Sequence, residues 1–148
     1  MTLIRITKQF RFEAAHALYG YDGPCRTIHG HSYKLSVTVI GSPQSDPSSA
    51  KIGMVMDFGE LKKRIKTLII DRFDHALLLH EAERPGLAAE TNGPFCKVVF
   101  LPYQPTSENF LIDFADRIRE ILPEEVSLHS MRLRETDSSY AEWFAADN

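Results

Sequence analysis

Two stretches in the first third of the chain alternate between apolar and polar residues, which is the period-two pattern of a half-buried β-strand. Within residues 3–13 the apolar side chains of one parity are Ile4, Ile6, Phe10 and Phe12. In SYKLSVTVIG, residues 32–41, the apolar side chains of one parity are Tyr33, Leu35, Val37 and Val39. We therefore predict two strands, joined by the turn-rich segment LYGYDGPC.

Two later stretches have apolar residues every three or four positions, as amphipathic helices do. In residues 57–71, Asp57 is placed to cap a helix and Glu60 to complete a capping box. The apolar stripe of this helix is Phe58, Leu61, Ile65, Leu68 and Ile69. In residues 105–122, Thr106 is the predicted cap. The stripe that follows it is Leu111, Phe114, Ile118 and Ile121.

The remaining apolar segments complete the predicted architecture. KVVFLPY, residues 97–103, and VSLHSMRLRE, residues 126–135, are predicted strands, whereas residues 76–96 are predicted to be irregular with one helical turn. The order of elements predicts an α+β fold, in which an antiparallel sheet carries two helices packed on one face. A chain of 148 residues has the size of one domain, so we expect residues 1–148 to share a single core.

Composition and charge exclude several classes of function. The net charge of −3 arises from interspersed signs, which does not suit a nucleic-acid partner. The N-terminal segment has charges within its apolar part, unlike a signal peptide, and no run approaches the ~20 apolar residues of a membrane span. We therefore expect a cytoplasmic protein with reduced thiols at Cys25 and Cys96, of which Cys96 is expected to be buried.

The most informative chemistry surrounds CRTIHGH, residues 25–31. His16 has the parity of the apolar side chains in the first predicted strand, and His29 and His31 have that of the second, so all three imidazoles are expected on one face. Three imidazole nitrogens with an open fourth position are typical of catalytic zinc. Two alternatives stay open: ordinary polar residues at a strand end, or a structural zinc site with Cys25 as the fourth ligand.

Six segments, FRFEAAH, CRTIHGHS, MDFGELK, FDHALL, PTSEN and RET, follow one another between residues 10 and 136. Together they resemble the 6-pyruvoyl-tetrahydropterin synthase and 6-carboxy-tetrahydropterin synthase family. The resemblance implies the tunnelling fold, an antiparallel sheet with two helices on one side. It also implies assembly by sheet edges into a barrel-forming trimer, stacking of two trimers into a homohexamer, and active sites at subunit interfaces.

The resemblance also implies roles for individual residues. It makes Cys25 the catalytic proton acceptor, and it makes the carboxylate of Asp74 the group that orients the imidazole of His75. The zinc ligands that it implies are His16, His29 and His31.

A further set of implied roles concerns the pterin ring. Glu135 anchors the ring and is grouped with the catalytic residues, while Thr106 and Glu108 help to hold the pterin from a neighbouring chain. From the residues alone, the plainer alternatives are that Asp74 ends a helix, that Glu108 favours a helix dipole and that Glu135 is a solvated charge at a strand end.

The leading hypothesis is a zinc-dependent 6-carboxy-tetrahydropterin synthase, a lyase that converts 7,8-dihydroneopterin triphosphate with release of triphosphate and acetaldehyde, on the route to queuosine-type deazapurines. The C-x-x-x-H-G-H spacing favours this branch of the family. The alternative is a 6-pyruvoyl-tetrahydropterin synthase, which eliminates triphosphate from the same substrate. A third hypothesis is a non-catalytic zinc-binding or pterin-binding module. The presence of Cys25, Asp74, His75 and Glu135 argues against it, because a binding module needs no proton-transfer groups.

Overall fold

The structure of the protein, a computed structural model, describes residues 1–87 and 93–148. The strands in this part of the chain are β1 (Ile4–Ala17), β2 (His29–Gly41), β3 (Ala76–His80), β4 (Val98–Leu101), β5 (Val126–Thr136) and β6 (Ser139–Phe144). The helices are α1 (Phe58–Ile65), α2 (Asp71–Phe73) and α3 (Ser107–Ile121). A π-helical turn at Lys66–Ile70 joins α1 to α2, so these two segments form one continuous helix.

All six strands belong to one sheet with the order β4-β3-β1-β2-β5-β6. The pairs β1/β2, β2/β5 and β5/β6 are antiparallel, whereas β3 runs parallel to both β1 and β4. The predicted α+β class and the helices on one face are confirmed. The sheet is nevertheless mixed rather than wholly antiparallel. The reason is that the long helical connection after β2 carries the chain past β1, so β3 pairs with the far side of β1 and runs in the same direction as β1. A tight turn would allow only an antiparallel neighbour.

The prediction of an irregular segment at residues 76–96 is wrong for its first part, because residues 76–80 form β3. Ala76 and Leu78 join the main core, while Leu77 and Leu79 pack on the opposite side. A parallel strand buried on both faces has no polar alternation that a sequence pattern could reveal. Short 3₁₀ turns follow at residues 81–86 and 93–95, and residues 88–92 lie outside the described residues.

At the periphery of the fold, one strand was not predicted and one expectation is corrected. The edge strand β6 was not expected from the sequence, and it pairs antiparallel with β5 after a tight turn. Cys96 is exposed rather than buried, because it follows a 3₁₀ turn at the surface.

The core lies between one face of the sheet and the helices. The even-numbered residues of β1 and the odd-numbered residues of β2 point into it, as the alternation predicted, and they pack against apolar residues of α1 and α3. Phe12 stacks on Tyr33 with ring centroids 4.9 Å apart, and Tyr33 makes an edge contact with Phe110 of α3. None of the helices in the described part of the chain combines the length and the apolar character that a membrane span requires.

The predicted helix caps are present. The Asp57 carboxylate accepts hydrogen bonds from the backbone N–H groups of Gly59 and Glu60, at 2.7 and 3.2 Å, and the Thr106 hydroxyl accepts one from Asn109 N–H at 3.3 Å. The Glu60 side chain pairs with lysine and arginine side chains instead of closing a capping box. The cap at Thr106 fixes where α3 begins, next to the histidine cluster.

Candidate active site

The register of β1 and β2 brings the three predicted histidines together. His16 lies directly opposite His29, and Ala14 lies opposite His31. The ring centroids of the three imidazoles are 4.5 to 5.1 Å apart, and one ligand nitrogen from each lies within 4.8 Å of the others. The predicted convergence on one face is therefore confirmed, and we call these residues the three-histidine group.

Backbone carbonyls orient two of these rings. His16 Nδ1 lies 2.7 Å from the carbonyl of Pro105, and His29 Nδ1 lies 2.7 Å from the carbonyl of Thr27. A carbonyl only accepts hydrogen bonds, so each Nδ1 must carry a proton, and in the neutral form of each ring the lone pair lies on Nε2 and is turned into the site. The two Nε2 atoms are 3.0 Å apart. Facing lone pairs at this distance repel each other unless a cation lies nearby.

The third ring adds a nitrogen that has no hydrogen-bond partner among the described residues. His31 Nε2 is buried, and although Glu135 Oε1 lies 3.0 Å away, the pair lacks hydrogen-bond geometry. The same carboxylate oxygen lies 3.8 Å from His16 Nε2. Three convergent imidazole nitrogens beside a carboxylate suit a divalent transition metal, and this donor set is one that zinc accepts.

Burial favours the neutral imidazoles that a metal requires. Removal from solvent lowers the pKa of His16, against the opposing effects of the Pro105 hydrogen bond and the Glu135 charge. Burial also lowers the pKa of His31. Burial therefore favours the neutral form of both rings, which reduces the competition between protons and a metal for these nitrogens.

Glu135 is held in place by a residue that sequence reasoning did not single out. Ser107 Oγ donates a 2.6 Å hydrogen bond to Glu135 Oε2, and Ser107 is only 5% exposed. The only signal in the sequence was its position directly after the predicted cap Thr106.

Glu108 lies in the first turn of α3 and is exposed, with no ion pair among the described residues. The structure thus places Thr106 at the start of α3, directly after Pro105, whose carbonyl contacts His16. It leaves Glu108 at the surface.

Cys25 lies in the 3₁₀ turn Pro24–Arg26, between β1 and the start of β2. Its backbone carbonyl accepts a 2.9 Å hydrogen bond from Leu18 N–H, and the residue is partly exposed. The metal-ligand atoms that converge in the described part of the chain are those of the three-histidine group and do not include the Cys25 thiol. Nothing in this geometry supports the alternative of a four-ligand structural site. The catalytic role of Cys25 stays a prediction.

Asp74 and His75 form a second feature, which we call the Asp74–His75 corner. His75 Nδ1 lies 3.1 Å from Asp74 Oδ1, and the same oxygen accepts a 2.9 Å hydrogen bond from Glu13 N–H. That backbone hydrogen bond is the main reason why the pKa of Asp74 is lowered. His75 has a φ of 59°, in the left-handed region, and its side chain is 77% exposed. The predicted pairing of Asp74 with His75 is thus present, but without hydrogen bonds to the three-histidine group.

Lys97, which directly precedes β4, supports this corner. Its ammonium group donates to the backbone carbonyls of Asp71 and Asp74, at 2.9 and 2.5 Å, where the helix ends. A cleft of about 430 Å³ lies beside the corner, and the polar residues in its lining are Glu13, His31, Ser32, His75 and Lys97. The Lys97 ammonium group thus supplies hydrogen bonds to backbone carbonyls that the end of the helix leaves without partners.

Comparisons with known proteins show what this chain is similar to. A family model described as 6-pyruvoyl tetrahydropterin synthase matches residues 5–146. A Haemophilus influenzae protein named 6-carboxy-5,6,7,8-tetrahydropterin synthase is 35% identical over 146 residues, which cover 95% of this chain and 99% of the relative. A Synechocystis protein of the same name is 33% identical over 141 residues, covering 95% of this chain and 92% of the relative.

Solved structures show the same fold. The structure of Caenorhabditis elegans 6-pyruvoyl tetrahydropterin synthase superposes with a TM-score of 0.71 at 25% identity, covering 98% of this chain and 97% of that one. A Wolinella succinogenes protein superposes with a TM-score of 0.75 at 21% identity, covering 98% of this chain and 99% of that one. The second likeness concerns the fold alone.

Proposed function

This chain belongs to the 6-pyruvoyl tetrahydropterin synthase family, and from that membership we propose that it is a zinc-dependent 6-carboxy-5,6,7,8-tetrahydropterin synthase. The substrate in this proposal is 7,8-dihydroneopterin triphosphate, and the products include triphosphate and acetaldehyde, on a route to queuosine-type deazapurines. The names of the relatives support the choice of product. The observation that carries the proposal is the convergence of three imidazole nitrogens within 4.8 Å of one another, beside the carboxylate of Glu135.

In this proposal the three-histidine group holds the zinc ion. When bound, the ion acts as a Lewis acid that lowers the pKa of a substrate hydroxyl and polarises a neighbouring carbonyl. The chain itself keeps His16 and His29 in the required tautomer, because the carbonyls of Pro105 and Thr27 accept hydrogen bonds from their Nδ1–H groups. The ligands are thus oriented before metal binding.

The proton transfers are assigned to two other side chains, Cys25 and His75, of which His75 is oriented by Asp74. Cys25 accepts a proton from the substrate, and its partial exposure leaves the thiol accessible. His75, oriented by Asp74 at 3.1 Å, supplies a second acid or base. These assignments rest on the family motif and on the pairing at the Asp74–His75 corner.

Glu135 is assigned to the pterin ring. A carboxylate accepts paired N–H bonds from the donor edge of a pterin, and Ser107 fixes its orientation through Oε2. In the proposed enzyme Thr106 and Glu108 hold the ring of a substrate that is bound mainly by a neighbouring chain. The exposed position of Glu108 leaves its carboxylate accessible to such a neighbour.

We propose further that the enzyme is a cytoplasmic homohexamer, a dimer of trimers with active sites between subunits. The imidazole of His75 is 77% exposed and makes no hydrogen bond with the three-histidine group of its own chain. We therefore assign the proton transfer by His75 at each zinc site to the Asp74–His75 corner of an adjacent chain. The outer strands β4 and β6 of the described sheet have edges that can pair with another subunit.

Incubation of the purified protein with 7,8-dihydroneopterin triphosphate tests this function. We expect acetaldehyde and a 6-carboxy pterin, with turnover lost after zinc removal and restored by added zinc. A 6-pyruvoyl product without acetaldehyde would show the other activity of the family and overturn the assignment. Protein that lacks stoichiometric transition metal after purification, and that gains no activity with zinc, would overturn the metal dependence.

Replacement of Cys25 by alanine separates a proton acceptor from a metal ligand. We expect kcat to fall by about 10²-fold or more, the contribution typical of a positioned acid or base, while the zinc content stays at the wild-type level. Cys96→Ala is the matched control, because it removes the exposed second thiol and is expected to leave turnover intact. Zinc loss in Cys25→Ala would instead identify Cys25 as a ligand.

A further inference from the structure

The face of the sheet that is turned away from the core carries a row of cations. In the strand register Arg11 of β1 lies directly opposite Lys34 of β2, and Lys34 lies directly opposite Arg134 of β5. We call these three residues the cation row. Directly opposite residues in an antiparallel pair have Cβ atoms about 5 Å apart, and like charges in such positions destabilise a sheet. The sheet therefore places three repelling charges side by side, although they are far apart in sequence.

A second row of polar residues lies alongside the cation row. Gln9 is opposite Ser36, and Ser36 is opposite Arg132. The two rows line a depression of about 400 Å³ that has four cationic side chains and no acidic one in its lining. Arg132 is neutralised by an ion pair with Glu142 at 2.7 Å. Gln9 and Ser36 add neutral hydrogen-bond donors to the depression.

The two arginines of β5 are held in place on an aromatic ring. The guanidinium groups of Arg132 and Arg134 lie 4.3 and 5.3 Å from the ring centroid of Tyr140, and Arg134 also donates to the carbonyl of Asp137 at 2.7 Å. Arg11 and Lys34 have no ion-pair partner within residues 1–87 and 93–148. Arg134, Arg11 and Lys34 thus carry three positive charges that form no ion pair with a carboxylate in the described part of the chain.

We propose that the cation row is a binding site for an oligophosphate group. Neighbouring strands are 4.7–4.9 Å apart, so the row spans about 10 Å, a length that an extended polyanion can follow and a single tetrahedral anion cannot. Guanidinium groups bind phosphate oxygens through paired hydrogen bonds, and a lysine adds a mobile point charge. An oligophosphate would relieve the repulsion among Arg11, Lys34 and Arg134. The charge of the site and its length thus favour the same ligand class.

This site is distinct from the three-histidine group. The cation row uses the odd-numbered residues of β1 and the even-numbered residues of β2, whereas the histidines have the opposite parity and face the core side of the sheet. The inference therefore goes beyond the proposed function and does not depend on turnover.

Calorimetric titration of the full-length protein with sodium triphosphate tests the site. We expect saturable binding that weakens as the ionic strength rises, because exposed charges are screened. Lys34→Gln and Arg134→Gln should each weaken binding about tenfold, whereas Lys62→Gln and Lys63→Gln, which remove exposed charges from α1, should change it less than twofold. Unfolding midpoints of all four variants verify that the fold is retained.

Three further binding measurements, with ATP, with sulfate and with the His29→Ala variant, identify the ligand and the place where it binds. Binding of ATP with similar affinity would indicate that the oligophosphate is recognised as part of a nucleotide, and binding of triphosphate alone would indicate the free anion; either result supports the site. Sulfate that binds as tightly as triphosphate would reduce the row to a solvated cationic face. Triphosphate binding that is unchanged in Lys34→Gln and Arg134→Gln but lost in His29→Ala would place the anion at the three-histidine group and overturn the proposal.

Discussion

The three-histidine group and the Asp74–His75 corner carry the two kinds of chemistry in the proposed enzyme, but the fold holds them in different ways. The histidines stand on paired strands, and His16 is 3% exposed with its ring fixed by a backbone carbonyl. His75 is 77% exposed, has a left-handed backbone conformation and follows the end of a helix. One feature is positioned by sheet register, whereas the other depends on a few local hydrogen bonds.

This difference indicates which property, metal binding or stability, a substitution in each region should change. The β1/β2 ladder runs without interruption from Ile4 to His16, so a change in one imidazole leaves the strands in place. The corner has no such redundancy, because Lys97 and the backbone of Glu13 supply its main contacts. We therefore expect substitutions in the first region to alter metal binding, and those in the second to alter stability as well.

The largest expected effect is that of His29→Ala on metal binding. Loss of one of three imidazole ligands should weaken zinc affinity by more than 10²-fold, because even partners behind the ligands contribute 10–100-fold. Competition with a coloured chelator measures this affinity. His129→Ala is the matched control, because His129 hydrogen-bonds with Arg5 and Ser130 and lies outside the group. Equal zinc affinity in the two variants would contradict the assigned site.

The next effect in size is the stability loss in Lys97→Met. Methionine keeps much of the apolar stem but removes two hydrogen bonds from an ammonium group to the carbonyls of Asp71 and Asp74. Lys97 is only partly buried, so we expect the free energy of unfolding to fall by about 2 kcal/mol. Urea unfolding measures this loss. Lys63→Met, at an exposed position of α1, should change stability by less than about 0.5 kcal/mol. A similar loss in both variants would show that Lys97 does not hold the corner.

The same contrast explains which parts of the molecule could be predicted. Alternation along β1 and β2 specifies which side chains share a face, and that parity was enough to place His16 beside His29 and His31. Helix caps at Asp57 and Thr106 were readable because capping needs particular side chains at particular positions.

The unpredicted parts depend on contacts between distant segments. β3 is buried on both faces, so its ALLL run has no period, and its parallel pairing with β1 follows from a crossover that no local pattern describes. The hydrogen bond from Ser107 to Glu135 joins residues 28 positions apart. The cation row likewise exists only in the register of three strands.

A smaller effect is expected from the backbone strain at His75. A φ of 59° costs a residue with a Cβ atom about 1–2 kcal/mol, and glycine avoids this cost while losing some stability through its greater freedom in the unfolded chain. His75→Gly should therefore be more stable than His75→Ala by about 1 kcal/mol in thermal or urea unfolding. At Asp116, an exposed helix position, the order should be the reverse, with alanine more stable than glycine. If the alanine variant were more stable than the glycine variant at both positions, the result would contradict the backbone strain assigned to His75.

The smallest expected effect is the pH dependence that Asp74 adds to stability. Its pKa is lowered in the folded protein, chiefly because Glu13 N–H donates to the carboxylate, whereas in the unfolded chain it lies at about 4. The folded state thus binds the Asp74 proton less readily than the unfolded state does. The stabilisation is fully present above about pH 4 and is lost as the pH falls through the lower folded pKa.

Comparison of the wild type with Asp74→Asn from pH 2 to 6 isolates this charge, because asparagine can still accept the hydrogen bond from Glu13 N–H. The difference in free energy of unfolding should be constant above about pH 5 and should shrink below about pH 4. It should be small, because the Asp74 side chain is 38% exposed and solvent screens its interactions. A difference that grew as the pH fell would mean that the carboxylate is more stable in the unfolded chain. In that case the corner would be held by Lys97 and the backbone alone, and the contrast with the three-histidine group would be sharper still.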